Sequence, residues 1–466
     1  MTTEKLSKKN WFLITLFCFI GGIAWNTENM YFNTFLYNSV YGNASEAAMA
    51  GAMSPELAVA NMVALSAVAA VLTSFIMGTL SDKLKNRRLF ISVGYILWGA
   101  VTAMFGLITK ENTAKLFGLT DEAQILAWTV WIVILMDIVM TFMGSTSNDA
   151  AFQAWVTDVT TPKQRAGVET LLSVVGTVSA LAITGVGSFA QAGKISYRVF
   201  FLGLGIAVSV CGVAGLFLLE DPPRTVKNTE PKSSYFADLF YGFRPSVIKN
   251  NPRLYLALSA FGLSVVGFQV FFPYLLVYLQ YVVLPDNGGI ENILRPSVIL
   301  TAVLVVGAIV TAVLLLLKHA SNHKALFLAP SAVLMTAGLL LLSTSTNIHV
   351  ILIGVVPVVI GNAIINILLG AAIKDFIPAG KAGQFQGIRM IFAVLIPMVV
   401  GPYLGVLAAG SDTRTYLNEL GAETPVPSKN MFLIAAIVCA LALIPMIFLL
   451  KKGVDVPTGE TTEVNA

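Results

Sequence analysis

Apolar residues gather into long blocks along the chain, and polar residues fall in short stretches between them. A helix that crosses a bilayer core of ~30 Å needs about 20 mainly apolar residues. Twelve blocks meet that length, at about 11–38, 57–79, 89–109, 124–150, 168–190, 199–219, 254–283, 297–317, 325–343, 348–372, 384–409 and 430–450. They are numbered below as spans one to twelve. The longest polar stretch, Glu220 to Arg253, follows span six and contains EDPPRTVKNTEPK. Its prolines and charges mark a linker. The pattern therefore predicts an all-α membrane protein with twelve transmembrane helices in two pseudo-symmetric six-helix bundles. One bundle covers 1–219, the linker 220–253 and the other bundle 254–466.

The halves echo each other at one place. After span four comes DVTTPKQRAGVET, Asp158 to Thr170; after span ten comes DFIPAGKAGQFQG, Asp375 to Gly387. Each opens on an aspartate, turns through a proline and carries a basic residue before Ala-Gly. Equal placement in the two halves points to duplication, and parallel repeats place a solute site near the midplane between them.

Composition narrows the class. Of 466 residues, 56 % are hydrophobic and 12 % charged, against about 25 % charged in soluble domains. So much apolar surface does not fit inside one water-soluble core. The net charge of +4 lies on no soluble basic domain, so a nucleic-acid partner is not expected. Lysine and arginine concentrate in the loops on the side that holds the N-terminus, which predicts cytoplasmic termini. Lys5, Lys8 and Lys9 precede a first apolar run that passes signal-peptide length without a small-residue cleavage site. It reads as a span, and the plasma membrane is the expected location. Cys18, Cys211 and Cys439 each sit in an apolar run and read as small hydrophobes. Two of the three histidines, His319 and His323, share one loop, too few for a metal site. No nucleophile–base constellation or phosphate loop is present, so neither an enzyme nor a cofactor is expected. A monomer in the bilayer is the expected state.

Polar groups inside spans carry the candidate chemistry, because an ionisable residue there costs about 2.5 kcal/mol or more. In span one, Trp25, Glu28, Asn29 and Phe32 are spaced along one helical face. An aromatic ring beside a carboxylate and an amide suits a polyhydroxylated solute; a packing cluster is the alternative. Asp137 lies near the middle of span four, with Asn148 and Asp149 further along. Burial disfavours a carboxylate's charge, so Glu28, Asp137 and Asp149 are candidate proton carriers. Gln269 with nearby Tyr274, and Asn362 with Asn366 one turn on, are candidates to line the second half, with structural hydrogen bonding the competing role. Arg389, a turn into span eleven, reads as reaching for the interface.

The loop between spans two and three, GTLSDKLKNRRLF, holds Gly78, Asp82, Lys83, Lys85, Arg87 and Arg88. It resembles the corresponding loop of the major facilitator superfamily in residue type, spacing and position. The resemblance implies the major facilitator fold and a latch at the cytoplasmic side, with Gly78 permitting close helix approach and Asp82 pairing with a neighbouring cation. Arg87 belongs to the same motif. Arg165 and Glu169, four residues apart after span four, suit a helical pair at that gate. The second-half counterpart, KHASNHK, lacks the glycine and the aspartate, so an asymmetric latch is expected.

A narrower resemblance lies in NDAAFQAWVTDVTTPKQR and GQFQGIRMIFAVLIPMVVGP. Asp149 and Phe152, then Gly383, Phe385, Gly387 and Pro397, match the glycoside-pentoside-hexuronide cation symporters and related sucrose transporters. That implies symport of a sugar or glycoside. The sodium-coupled members carry two span-two carboxylates where this chain has Ala70 and Ser74. A hard cation wants charged oxygen ligands, so the expected coupling ion is the proton. The alternative is a proton-coupled drug or metabolite exporter of the same superfamily. Such exporters often carry a Gly-Pro motif in span five, whereas here GPYLG falls in span eleven.

Overall fold

The computed structural model describes residues 6–84, 86–160, 162–191, 193–221, 241–288, 324–377, 382–409 and 414–454. Eleven helical stretches in it are long and apolar enough to cross a membrane. In the first half these are Lys8–Tyr41, Pro55–Met77, Arg87–Phe105, Glu122–Val159, Val174–Gln191 and Tyr197–Leu218; in the second, Pro252–Asp286, Lys324–Thr344, Ile348–Phe376, Gly387–Ala408 and Asn430–Lys451. They match spans one to seven and nine to twelve. The eighth expected span, 297–317, lies outside the described residues, as do residues 222–240 of the linker.

Local sequence explains where the helices begin. A short polar side chain at the N-cap satisfies a backbone amide that has no intrahelical partner. Ser7 accepts from the Asn10 amide at 3.1 Å, Asn86 from Leu89 at 3.1 Å and Asp121 from Gln124 at 3.0 Å, opening spans one, three and four. Large apolar side chains then divide between two faces. Tyr31, Tyr95, Trp98 and Trp155 are fully buried, while Leu72, Ile76, Trp128, Trp131 and Phe217 are exposed on the outward surface. With lipid outside, such exposure is the stable arrangement, and Trp128 and Trp131 suit an interfacial belt.

Spans one and four are not uniform α-helices. Wider π-helical turns occupy Glu28–Phe32 and Leu36–Tyr41 in span one and Ser145–Phe152 in span four. In the second half they occupy Leu279–Val283 and Ile391–Leu395. Such turns rotate the helix face and recur at functional sites; here two of them hold Glu28 and Asp149.

The chain forms two compact units, Met1–Thr229 with Thr415–Pro425, and Glu230–Arg414 with Val426–Ala466. The short insertion in the first unit is a hairpin that the hydropathy pattern does not signal. Strand β1, Thr415–Leu417, pairs antiparallel with β2, Glu423–Pro425, with Tyr416 opposite Thr424.

Candidate functional site

Span one presents its polar residues around the first π turn. Trp25 is half-buried, and its ring lies 5.1 Å from that of fully buried Trp98 on span three. Gly144 makes room for the two indoles, since a Cβ there would come within 2.9 Å of both. Glu28 is buried and accepts a 2.9 Å hydrogen bond from the Thr141 hydroxyl of span four. Asn29 is half-buried and donates to the Trp25 carbonyl at 2.8 Å. Phe32, expected on the same stripe, belongs instead to the core: it stacks on Phe105 with centroids 3.8 Å apart and meets Phe201 edge-on. The π turn that starts at Glu28 takes Phe32 off the face that a regular helix would share.

Span four supplies the other two carboxyls. Asp137, one turn before Thr141, is buried and accepts from the Ser66 hydroxyl of span two. Glu28, Thr141, Asp137 and Ser66 therefore tie spans one, four and two together. Asp149 lies within the π stretch of span four and is exposed. Its carboxyl takes the Ser145 hydroxyl at 3.1 Å and the Asn148 amide at 3.4 Å, and the Trp25 indole faces it. The Asn148 carbonyl oxygen is in turn 2.9 Å from the Tyr95 hydroxyl, which is equally close to the Phe17 carbonyl. Sequence reasoning missed Ser66, Tyr95, Trp98 and Thr141, because a lone hydroxyl or ring in an apolar span carries no signal until its partner is known.

The electrostatics of this cluster are unusual. Thr141, which donates to Glu28, stands one helical turn from Asp137 and two from Asp149 on span four. Among the described residues no lysine, arginine or histidine forms an ion pair with any of the three. Glu28 Oε2 and Asp137 Oδ1 are buried without a hydrogen-bond partner. Several kcal/mol oppose burying an uncompensated charge. A proton bound at one of these carboxyls removes both that cost and the like-charge repulsion. The described residues form no metal-holding group of histidine, cysteine or acidic residues.

The second unit has polar residues of another kind. Gln269 is half-buried on span seven, against Gly401 of span eleven, where a Cβ would come within 2.5 Å of the glutamine Cβ. Tyr274 is buried and donates to the Pro402 carbonyl at 3.0 Å, a structural role. Asn366 donates to the Asn362 carbonyl and side-chain oxygens at 2.8 and 2.9 Å, and both residues are half-buried. Arg389 is half-buried just before the π turn of span eleven.

At the end of the helices near the span-two–three loop, Arg87 is the centre of the structure. It is buried at the start of span three and donates to Asp158 at 2.6 Å and to the Ser81 hydroxyl at 3.1 Å. Arg88 reaches the Leu216 carbonyl, and its backbone amide donates to Asp221 at 3.1 Å. The side chains of Asp82, Arg165 and Glu169, with the surroundings of Gly78, lie outside the described residues. The surroundings of the residues behind the expected asymmetry, Gly78, Asp82 and 318–323, lie outside what the structure describes, but each half has an ion pair of the same kind. Lys324, the last residue of KHASNHK, is buried at the start of span nine and pairs with Asp375. Asp375 stands in its half where Asp158 stands in the other, so each half joins a buried cation opening one span to the aspartate closing the next. The matching Asp158 and Asp375 motifs held this signal, but their cationic partners are far away in sequence.

The profile of the Major Facilitator Superfamily matches residues 30–402. No curated protein matches the chain in sequence. Among solved structures, a bacterial homologue of the human lysosomal transporter Spinster, inward-facing and unoccupied, is 12 % identical with a TM-score of 0.62, covering 96 % of this chain and 97 % of its own. The nucleoside transporter NupG is 11 % identical with a TM-score of 0.65, covering 94 % of this chain and 99 % of its own. At that identity the likeness is one of fold, and the fold is the one the span pattern predicts. The profile match covers most of the chain, and the protein belongs to the major facilitator superfamily, a family of membrane transporters and not of enzymes.

Proposed function

We propose that the protein is a proton-coupled symporter of a small polyhydroxylated solute, a sugar or glycoside. The observation that carries this reading is the cluster of Glu28, Asp137 and Asp149, which has no paired cation among the described residues, beside the half-buried Trp25. The carboxyls have the chemistry to take up and release a proton. The indole offers a flat apolar surface to a sugar ring, and Asn29 offers hydrogen bonds to its hydroxyls. Gln269, Asn362 and Asn366 are the second unit's candidates for the same solute. The absence of acidic side chains at Ala70 and Ser74 favours the proton over sodium.

In this reading the six-helix bundles 1–219 and 254–466 are joined by the cytoplasmic linker 220–253, with both termini on the cytoplasmic side of the plasma membrane and the chain acting as a monomer. Gly78, Asp82, Arg87, Arg165 and Glu169 form the cytoplasmic gate. Counterflow in proteoliposomes tests the reading. The purified protein is loaded with each unlabelled solute of a panel of sugars, glycosides and nucleosides, and entry of the labelled solute is followed. Trans-stimulation by a sugar or glycoside that also carries protons supports it. Stimulation by nucleosides alone, or uptake that needs sodium and ignores a pH gradient, overturns it.

A further inference from the structure

The stretch from Tyr241 to the start of span seven at Pro252 is fastened to its own unit, the second. Tyr241 meets Phe385, at the start of span eleven, edge-on with centroids 5.8 Å apart. A Cβ at Gly242 would come within 3.0 Å of the Ile388 side chain, so the backbone lies directly on span eleven. The Tyr255 hydroxyl of span seven donates to the Gly242 carbonyl. Pro245–Asn250 then forms a short helix with its proline at the first position, where a missing amide proton does no harm. Asn251 follows it and donates from its side chain to the Val247 carbonyl at 2.8 Å. Val247 is the one residue of this short helix that is buried.

The outer side of this docked stretch combines oil and positive charge. Phe243 and Ile248 are 39 % and 40 % exposed, and Arg244, Ser246 and Lys249 are exposed beside them. From Tyr241 to Arg253 the chain carries three cations, Arg244, Lys249 and Arg253, and no acidic residue. Arg244 lies over the Tyr241 ring at 5.5 Å, a contact that orients the guanidinium without neutralising it. Among the described residues neither Arg244 nor Lys249 forms an ion pair. Water suits the cations but not the two apolar side chains. A membrane surface suits both: apolar side chains enter the boundary between headgroups and acyl chains, and cations are drawn to anionic headgroups. The position fits, because Asn251 alone separates the short helix from span seven.

We infer that Tyr241–Arg253 is a binding surface for anionic phospholipid in the leaflet that span seven enters here, cytoplasmic in the expected topology. Arg244 and Lys249 meet the phosphate headgroups, and Phe243 and Ile248 insert beside the tops of the acyl chains. The occupant is a lipid and not a soluble phosphate, because a soluble anion leaves the two apolar side chains in water. Since Tyr241 and Gly242 rest on span eleven, bound lipid also holds this end of the linker against that span. The surface involves neither the solute nor the coupling ion, so it stands or falls apart from the symport reading.

The test uses full-length protein with Cys18, Cys211 and Cys439 replaced and a bimane on Ser246→Cys, reconstituted in vesicles with the same lipids in both leaflets. Quenching of the bimane by phosphatidylglycerol with a spin label high on its acyl chain is compared with quenching by phosphatidylcholine labelled alike, at constant ionic strength. The expected result is a preference for phosphatidylglycerol that falls about fivefold for each of Arg244→Gln and Lys249→Gln. Arg244→Lys with Lys249→Arg keeps the preference, which separates charge from folding. Phe243→Ser with Ile248→Ser lowers quenching by both lipids. Lys451→Gln with Lys452→Gln, which removes two exposed cations elsewhere on the same unit, leaves the preference unchanged. Equal quenching by the two lipids, or an equal loss in the Lys451 and Lys452 variant, overturns the inference. So does quenching that inorganic phosphate relieves, which would make the ligand a soluble anion. Quenching that falls as protein density rises, with lipid composition fixed, would assign the surface to a second copy of the chain and overturn it too.

Discussion

The polar faces of the two units differ in kind. The first unit places three carboxyls, Glu28, Asp137 and Asp149, on spans one and four beside Trp25 and Trp98. The second, among its described residues, places neutral amides within its spans, Gln269, Asn362 and Asn366, and keeps its carboxyls Asp286 and Asp375 at span ends. The buried-cation ion pairs of the two units are by contrast alike, Arg87 with Asp158 and Lys324 with Asp375. Each joins a buried cation to an aspartate of the motif that the two halves share. Among the described residues the charged cluster has no counterpart in the second unit, and the proposed reading assigns proton handling to the first.

The sharpest way to break this comparison is to remove one titratable group. Glu28→Gln keeps size and most hydrogen bonding but cannot carry a proton. Active accumulation is expected to vanish while counterflow persists, because exchange needs no net proton release. Gln269→Ala is expected to leave the coupling intact. Loss of accumulation in both variants, measured in the same vesicles, would place coupling outside the first unit.

The paired gates give the next largest effect and probe the likeness of the halves. Breaking a buried pair by removing one partner costs about 3–5 kcal/mol. Arg87 and Asp158 have side-chain exposures of 7 % and 26 %, while Asp375 opposite Lys324 is 42 % exposed. Arg87→Ala should therefore lower the melting temperature in detergent more than Lys324→Ala. Arg87→Lys should not restore it, since one ammonium does not reproduce the fork that reaches both Asp158 and Ser81. Equal losses would mean that water screens both sites alike.

Solute affinity sharpens the comparison at smaller scale. Trp25→Ala should weaken binding by about 1–3 kcal/mol, by analogy with stacking on other aromatic platforms. The melting temperature should change little, because the ring is only half-buried. Isothermal titration and thermal unfolding on one purified sample separate this from a packing role, in which stability falls and the affinity of the surviving protein does not. Gln269→Ala should cost about 0.5–1.5 kcal/mol of solute binding, the net value of one hydrogen bond, and leave the pH dependence of Kd unchanged.

Much of the fold is legible in the sequence because a bilayer imposes one coarse rule, long apolar runs, and the chain obeys it. Eleven spans stand where hydropathy places them, and the Asp158 and Asp375 motifs mark the two aspartates that pair with buried cations. The site is legible only in part. Glu28, Asp137 and Asp149 stand out because charge in an apolar run is costly. Phe32 misleads because a helical stripe assumes regular turns, and the π turn at Glu28 breaks the register. Ser66, Thr141 and Trp98 are silent because their meaning lies in partners on other spans. The hairpin is silent for a related reason: Asn418 reads as a loop residue until the carbonyls of Tyr41 and Ala44 are seen beside it.

The central claim is that the first unit's carboxyls couple solute to protons. The most direct measurement places the purified protein in proteoliposomes with a pH-sensitive dye inside, and imposes an inward gradient of a solute that passes the counterflow assay, with sodium absent. The account predicts that the lumen acidifies with wild type and that Glu28→Gln, still competent in exchange, gives no pH change. Solute entry that leaves the lumen pH unchanged with wild type, or acidification that survives Glu28→Gln, would contradict it.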